Sequence, residues 1–278
     1  MGKCKFCGQD AGFMRRAHKG CKQAHSEGTR RILEIAAKAA VGQSDLSTVQ
    51  ETLQNVASSS FIDAGLLGEL LARAWDAAVS RALEDGVLSG AEEHALVAFK
   101  ERFSLPTDML DRTGAHTRVV KAGVLRDVLE GNIRQRVRIE GTLPFNFQKG
   151  ETLVWVFQNV PYYESRTQTT HSGSYGGVSV RGAKGVYYHL GGFQSKPVVT
   201  TATVLVDRGI LGITNKHIYF AGKAKSFRIR YDKIVSFTPY TDGIGVQRDA
   251  LSAKPQVFAT GDGWFTYNLV TNLAHLAS

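Results

Sequence analysis

All three cysteines of this 278-residue chain fall within its first 21 residues, spaced as metal ligands: Cys4-Lys-Phe-Cys7 and, after ten intervening residues, His18-Lys-Gly-Cys21. No other feature restricts the fold as tightly. A two-residue gap lets both ligands of a pair reach one cation, while backbone N–H groups of the turn face the sulfurs. Two such pairs supply the four ligands of a tetrahedral site. Residues 1–25 are rich in Cys, His, Gly and Lys and poor in large apolar side chains, so they need a metal or a host domain to hold them. His25 lies four residues after Cys21. In a helix starting near Gly20 it stands one turn above Cys21, which makes it the alternative to His18 as fourth ligand. A Cys4–Cys7 disulfide would leave Cys21 and both histidines without a role, and a reducing cytosol disfavours it. The expectation is zinc on Cys4, Cys7, His18 and Cys21. Only Asp10 and Glu27 supply carboxylates in this segment, and no His-Glu-x-x-His pattern occurs, so four ligands point to a closed, structural site.

The rest of the chain reads as two regions of different periodicity. The hydrophobic fraction of 43% and charged fraction of 21% are those of a globular protein. From about residue 29 to 132 the pattern is helical. Ile32, Ile35, Ala36 and Ala39 share one face of a helix that Gly42 ends, and a second helix fits Leu46–Val56. Asp63 is the expected N-cap of a third, carrying Leu66, Leu67, Leu70, Leu71, Trp75 and Val79. Ser89-Gly-Ala-Glu92 is a capping box before a helix bearing Leu96, Val97, Phe99 and Phe103; Pro106 stops it, and Val119–Leu129 completes a helical bundle.

Beyond Asn132 the period falls to two. Strands are expected at 137–140, 153–157, 186–188, 198–206, 217–220, 226–231, 234–237 and 256–258, with Asp242-Gly243 and Gly261-Asp262-Gly263 as turns. A closing helix with Trp264, Phe265, Leu269, Val270, Leu273 and Leu276 would bury its stripe against a barrel mouth. Residues 165–185, dominated by Ser, Thr and Gly, read as a mobile hairpin or a binding loop. The overall expectation is an α+β chain of three parts: a zinc knuckle at 1–28, a helical bundle at 29–132 and an antiparallel β-barrel domain at 133–278.

Three stretches resemble known families. The ligand pairs, the second at the start of a helix, resemble treble-clef or zinc-ribbon modules over about 25 residues. Asp85-Gly-Val-Leu-Ser-Gly-Ala-Glu92 weakly resembles the acidic interhelical segment of tellurite-resistance-type helical domains, but a DG turn and a capping box explain it without a metal. Asp207–Gly222, with Thr214-Asn-Lys216 at its centre, is similar to the hairpin of bacterial PH-like and GRAM-like domains. Lys225–Ile234 looks like their next strand pair, and the final amphipathic stretch like their capping helix. The resemblance spans about residues 150–275. It implies a barrel without catalytic residues that binds lipids, peptides or partner proteins.

Charge divides the same way. Residues 1–30 hold seven Lys/Arg against two Asp/Glu, residues 31–133 ten against fifteen, and residues 134–278 seventeen against eight, for a net +9 overall. Basic flanks around an acidic middle fit a protein that meets phosphates of lipid or nucleic acid. Lys216, Lys225, Arg228, Arg230 and Lys233 are the expected ligand-binding residues, Arg228 and Arg230 sharing a strand face beside Tyr219 and Tyr231. His171, Arg181 and Lys184 are expected to make a second basic loop. No G-x-S-x-G, P-loop or G-x-G-x-x-G occurs. The reading is a non-enzymatic interaction protein binding a partner protein or an anionic lipid surface. The alternative is a nucleic-acid-binding regulator using Arg15, Arg16, Lys19 and Lys22 of the zinc module; a metal-dependent hydrolase or nuclease ranks below both, since no carboxylate cluster assembles. No apolar segment comes after the basic start, and no run approaches the roughly 18 apolar residues of a spanning helix. The expected location is therefore cytoplasmic, not integral to a membrane.

Overall fold

A computed structural model describes residues 2–12, 15–137, 139–170, 198–250 and 253–277, with the backbone alone at 166–170 and 198–202. The chain divides into two compact units, Met1–Asn132 and Ile133–Ser278.

The first unit places the cysteine-rich segment on six helices: α1 (Lys19–Ala40), α2 (Leu46–Ser59), α3 (Ala64–Ala82), α4 (Gly90–Arg102), α5 (Thr107–Leu110) and α6 (Ala115–Leu129). Helix α1 runs through residue 28 unbroken, so the ligand segment and the bundle share one rod. The starts are capped, at Asp63 and Ser89 as expected and also at Asp45. Asp45 accepts from the Thr48 amide, Asp63 from the Leu66 amide, and Ser89 with Glu92 closes a reciprocal box. The core gathers Ile32, Leu53, Leu70, Trp75, Val79, Leu96 and Phe99, each at most 1% exposed, and the Trp75 indole N–H donates to the Leu96 carbonyl at 2.9 Å. Val97, expected inward, is 40% exposed.

The second unit is one antiparallel sheet in the order β4-β3-β2-β1-β7-β6-β5, followed by α7 (Gly263–Ala277). Its strands are β1 (Leu153–Thr170), β2 (Val198–Thr214), β3 (His217–Gly222), β4 (Ser226–Arg230), β5 (Ile234–Tyr240), β6 (Gly243–Arg248) and β7 (Gln256–Ala259). β1 is the hinge of the sheet, pairing with β2 along its length and with β7 at Tyr162–Glu164. No ladder joins β4 to β5 among the described residues, so the expected barrel is an open sheet. Tyr162, Phe220, Phe227 and Phe258 pack on one side of it, with centroids 5.0 to 6.3 Å apart. Helix α7 presents Phe265 edge-on to Trp155 at 4.9 Å and buries Leu269, Val270 and Leu273. Trp264 and Leu276, expected in that stripe, are 64% and 49% exposed.

Residues 137 and 139–140, expected as a strand, belong to none: among the described residues no ladder pairs with them. β6 escaped the sequence reading because its glycines hide its period. Those glycines are required: a Cβ at Gly243 would lie 2.1 Å from the Phe258 carbonyl oxygen. The expected strand at 186–188, most of the Ser/Gly-rich stretch, and His171, Arg181 and Lys184 fall outside the described residues.

Candidate metal centre

The centre is built from a tight hairpin and a helix start. Lys3 and Asp10 form an antiparallel bridge, the Cys4 amide donates to the Gln9 carbonyl at 2.7 Å, and the Gly8 amide donates to the Cys4 carbonyl at 2.9 Å. Gly8 closes this turn at φ +76°, where a side chain would be strained. The hairpin is tied to the segment leading into α1: the Lys5 amide donates to the Arg16 carbonyl at 3.0 Å. His18 is the N-cap of α1 and makes no side-chain cap, because its ring turns towards the thiols; Cys21 lies in the first helical turn.

The donor atoms of Cys4, Cys7, His18 and Cys21 all lie within 4.8 Å of one another. His18 Nδ1 is 3.4 Å from Cys7 Sγ and 3.7 Å from Cys21 Sγ. A tetrahedron with metal–sulfur bonds of about 2.3 Å and metal–nitrogen bonds of about 2.0 Å has nitrogen–sulfur edges of about 3.5 Å. The observed edges bracket that value. On the far side of the ring, His18 Nε2 lies 2.9 Å from the Asp10 carbonyl oxygen. Donation there fixes the proton on Nε2 and leaves Nδ1 with a lone pair for a cation, the outer-shell arrangement of a ligating histidine. The residues therefore fit a tetrahedral Cys₃His metal site.

The electrostatics fit the same use. Burial pushes the Cys4 thiol up, but the amides of Cys7, His18 and Phe6 outweigh it and bring the thiol down to about 6. Burial, with Cys7 and Cys4 nearby, pushes the Cys21 thiol up to about 11. The Asp10 carbonyl and the Cys7 sulfur raise the His18 imidazole. A bound cation would supply the positive charge that lets neighbouring thiolates coexist. His25 stands apart from this group: its ring packs on Phe6 at 4.8 Å.

The expected ligand-binding residues of the β unit lie along one edge. Arg228 and Arg230 are exposed on β4, the terminal strand of the sheet, with Ile229 between them facing inward. Lys225 precedes β4 in the turn from β3, Lys216 lies in the β2–β3 turn, and Lys233 sits in a short 3-10 turn after β4. All five are exposed. Arg230 pairs with Asp232 at 2.8 Å; Arg228, Lys225 and Lys233 make no ion pair among the described residues. Tyr219 is the cross-strand partner of Arg228 and Tyr231 follows Arg230, so both stand beside this patch, but both are buried. Their hydroxyls are occupied, donating at 2.6 Å to Glu151 Oε2 and at 2.8 Å to the Thr214 carbonyl.

Glu151 is the centre of a network that sequence reasoning missed. It has no exposed side-chain surface, and its carboxylate takes hydrogen bonds from Tyr219, from the Gln148 amide at 2.6 Å and from Thr214 at 3.3 Å, and pairs with His217 Nδ1. Burial pushes the Glu151 carboxyl up, but the Tyr219 hydroxyl, the Gln148 amide and His217 outweigh it and hold it below the usual range. The partners on β2 and β3 stand 63 to 68 residues away, so no local spacing announces them. Nearby, Phe145 and Phe147 pack on Tyr219 at 5.4 and 5.3 Å, and a Cβ at Gly212 would lie 2.7 Å from the Phe145 ring. The 143–152 segment thus straps the face of β2 and β3.

None of the described helices is long and apolar enough to cross a membrane. No protein-family model matches the chain, and no curated protein matches it.

Proposed function

We propose that this chain is a non-enzymatic, zinc-stabilised interaction protein whose β unit binds an anionic surface, either acidic lipid or the acidic face of a partner protein. Zinc is the metal proposed for the first unit, because three thiolates and one imidazole in a tetrahedral arrangement form a closed structural set for it. A PH-like or GRAM-like assignment of the second unit draws support from the meander of strands, the role of β1 as partner to both β2 and β7, and the helix after β7.

One observation carries the binding reading. Lys225, Arg228 and Arg230 form an exposed cationic row along the terminal strand β4, with Lys216 and Lys233 at its end, and among the described residues only Arg230 of this row has an acidic partner. Cations in a row on an exposed edge attract phosphate and carboxylate groups, and each cation near an acidic membrane contributes about 1 kcal/mol. The test is sedimentation of the full chain with vesicles of neutral lipid alone and of neutral lipid with phosphatidylserine. Binding to the acidic vesicles, lost when Arg228 and Lys225 become Ala, supports the lipid form. Capture of an acidic partner protein, sensitive to the same two substitutions, supports the protein form. Binding by neither route, or binding indifferent to these residues, overturns the reading.

A further inference from the structure

A strained aromatic residue beside the metal centre has no explanation in that centre. Phe61 sits between α2 and α3 with φ +56°, a left-handed conformation that a bulky residue adopts at a cost. Glycine would occupy this position without strain. The burial of a large side chain does not account for Phe61 either, because it is 40% exposed. Its ring lies 6.3 Å from that of Phe6, which also packs against the His25 imidazole at 4.8 Å, both pairs tilted by about 40°. The Lys5 ammonium stands 4.8 Å from the Phe6 centroid. Arg16 is hydrogen-bonded to Lys5 through the backbone, and Lys22 lies one turn before His25 on α1; both are exposed. Three aromatic rings from three separate places in the sequence thus come together, with the Lys5 ammonium over one face of Phe6.

We propose that Phe6, His25 and Phe61 form a stacking platform for single-stranded nucleic acid, with Lys5, Arg16 and Lys22 holding the backbone phosphates. Bases stack on aromatic rings whatever their identity, and clustered cations track the phosphates between them. The excess of cations over residues 1–30 supplies the complementary charge. A duplex keeps its bases stacked on one another and offers none to Phe61, so the platform selects single strands. The site lies wholly in the first unit and is independent of the cationic edge on β4.

The test uses the zinc-loaded 278-residue chain and a fluorescein-labelled oligothymidylate of about 12 nucleotides, with anisotropy as the readout. The wild-type chain should bind the single strand more tightly than a duplex of equal length, with affinity falling as salt rises. Phe61→Gly should weaken single-strand binding about tenfold, within the contribution of one base–aromatic stack. Because glycine relieves the left-handed strain, its melting temperature should stay level or rise. Phe61→Trp should retain binding, and Lys5→Gln should lower the slope of log affinity against log salt by about one. Equal affinity for duplex and single strand, or Phe61→Gly binding like wild type, overturns the proposal. So does a loss of binding in Phe61→Gly that accompanies a lower melting temperature and is not restored in Phe61→Trp.

Discussion

Gly28→Ala inverts an ordinary rule. In a helix interior, replacing glycine by alanine normally stabilises by about 1 kcal/mol, because alanine loses less backbone freedom on folding. Gly28 lies within α1 and is buried against the corner that links α2 to α3. A Cβ there would stand 2.2 Å from Ser60 Oγ, 2.3 Å from Ser60 Cβ and 3.5 Å from Ile62 Cδ1. The hydroxyl can rotate away, but the Ser60 Cβ moves only with its backbone, and Ser60 is itself 7% exposed. Overpacking of this kind costs about 1 to 3 kcal/mol. Set against the propensity gain of about 1 kcal/mol, the net loss is at most about 2 kcal/mol, a fall in melting temperature of up to roughly 8 °C for a unit of this size. Thermal unfolding monitored by circular dichroism at helical wavelengths reads it directly. Adding Ser60→Gly should recover most of the loss, since the two residues are in contact and couple. A Gly28→Ala chain that melts higher than wild type would refute the packing of α1 on this corner, and with it the frame that holds Cys21.

The two buried polar centres set other outcomes. His18→Ala should lose its metal on dialysis, while His25→Ala keeps one equivalent, as elemental analysis will read. Apparent zinc affinity, measured by competition with a chromophoric chelator, should rise with pH by about tenfold per unit for each thiol proton displaced. Cys21, held up at about 11, supplies one such proton at neutral pH; below about 6 Cys4 supplies another and the dependence steepens. Tyr219→Phe removes a donor from the Glu151 carboxylate and should cost the β unit about 1.5 to 3 kcal/mol in denaturant unfolding. Because the Glu151 carboxyl is held below its unfolded value of about 4.3, its contribution is present above that pH and lost as pH falls through the folded value; Tyr219→Phe should flatten that acid slope.

Features set by neighbours in sequence were legible without coordinates. Each metal ligand lies within three residues of a partner ligand. The caps at Asp63 and Ser89 act on amides three residues on, and the inward faces of α1 and α3 keep helical period. Spacing alone does not choose between His18 and His25, because both lie within about a turn of Cys21; the Asp10 carbonyl, eight residues before His18, aims its ring at the thiols. The network on Glu151 was invisible, since its donors come from β2 and β3 and only the sheet register joins them to a residue before β1. The burial of Tyr219 and Tyr231 was hidden for a related reason. Period two assigns a residue to one face of a strand, but it does not say whether another segment covers that face, as Phe145 and Phe147 cover Tyr219. Phe61 offered no signal, because a left-handed phenylalanine is a property of the backbone at a corner rather than of any pattern.

The zinc K-edge absorption fine structure of the purified 278-residue chain tests the central claim most directly. One tightly held zinc should show three sulfurs at about 2.3 Å and one nitrogen at about 2.0 Å. A first shell dominated by nitrogen and oxygen, or a folded chain that holds no zinc, would contradict it.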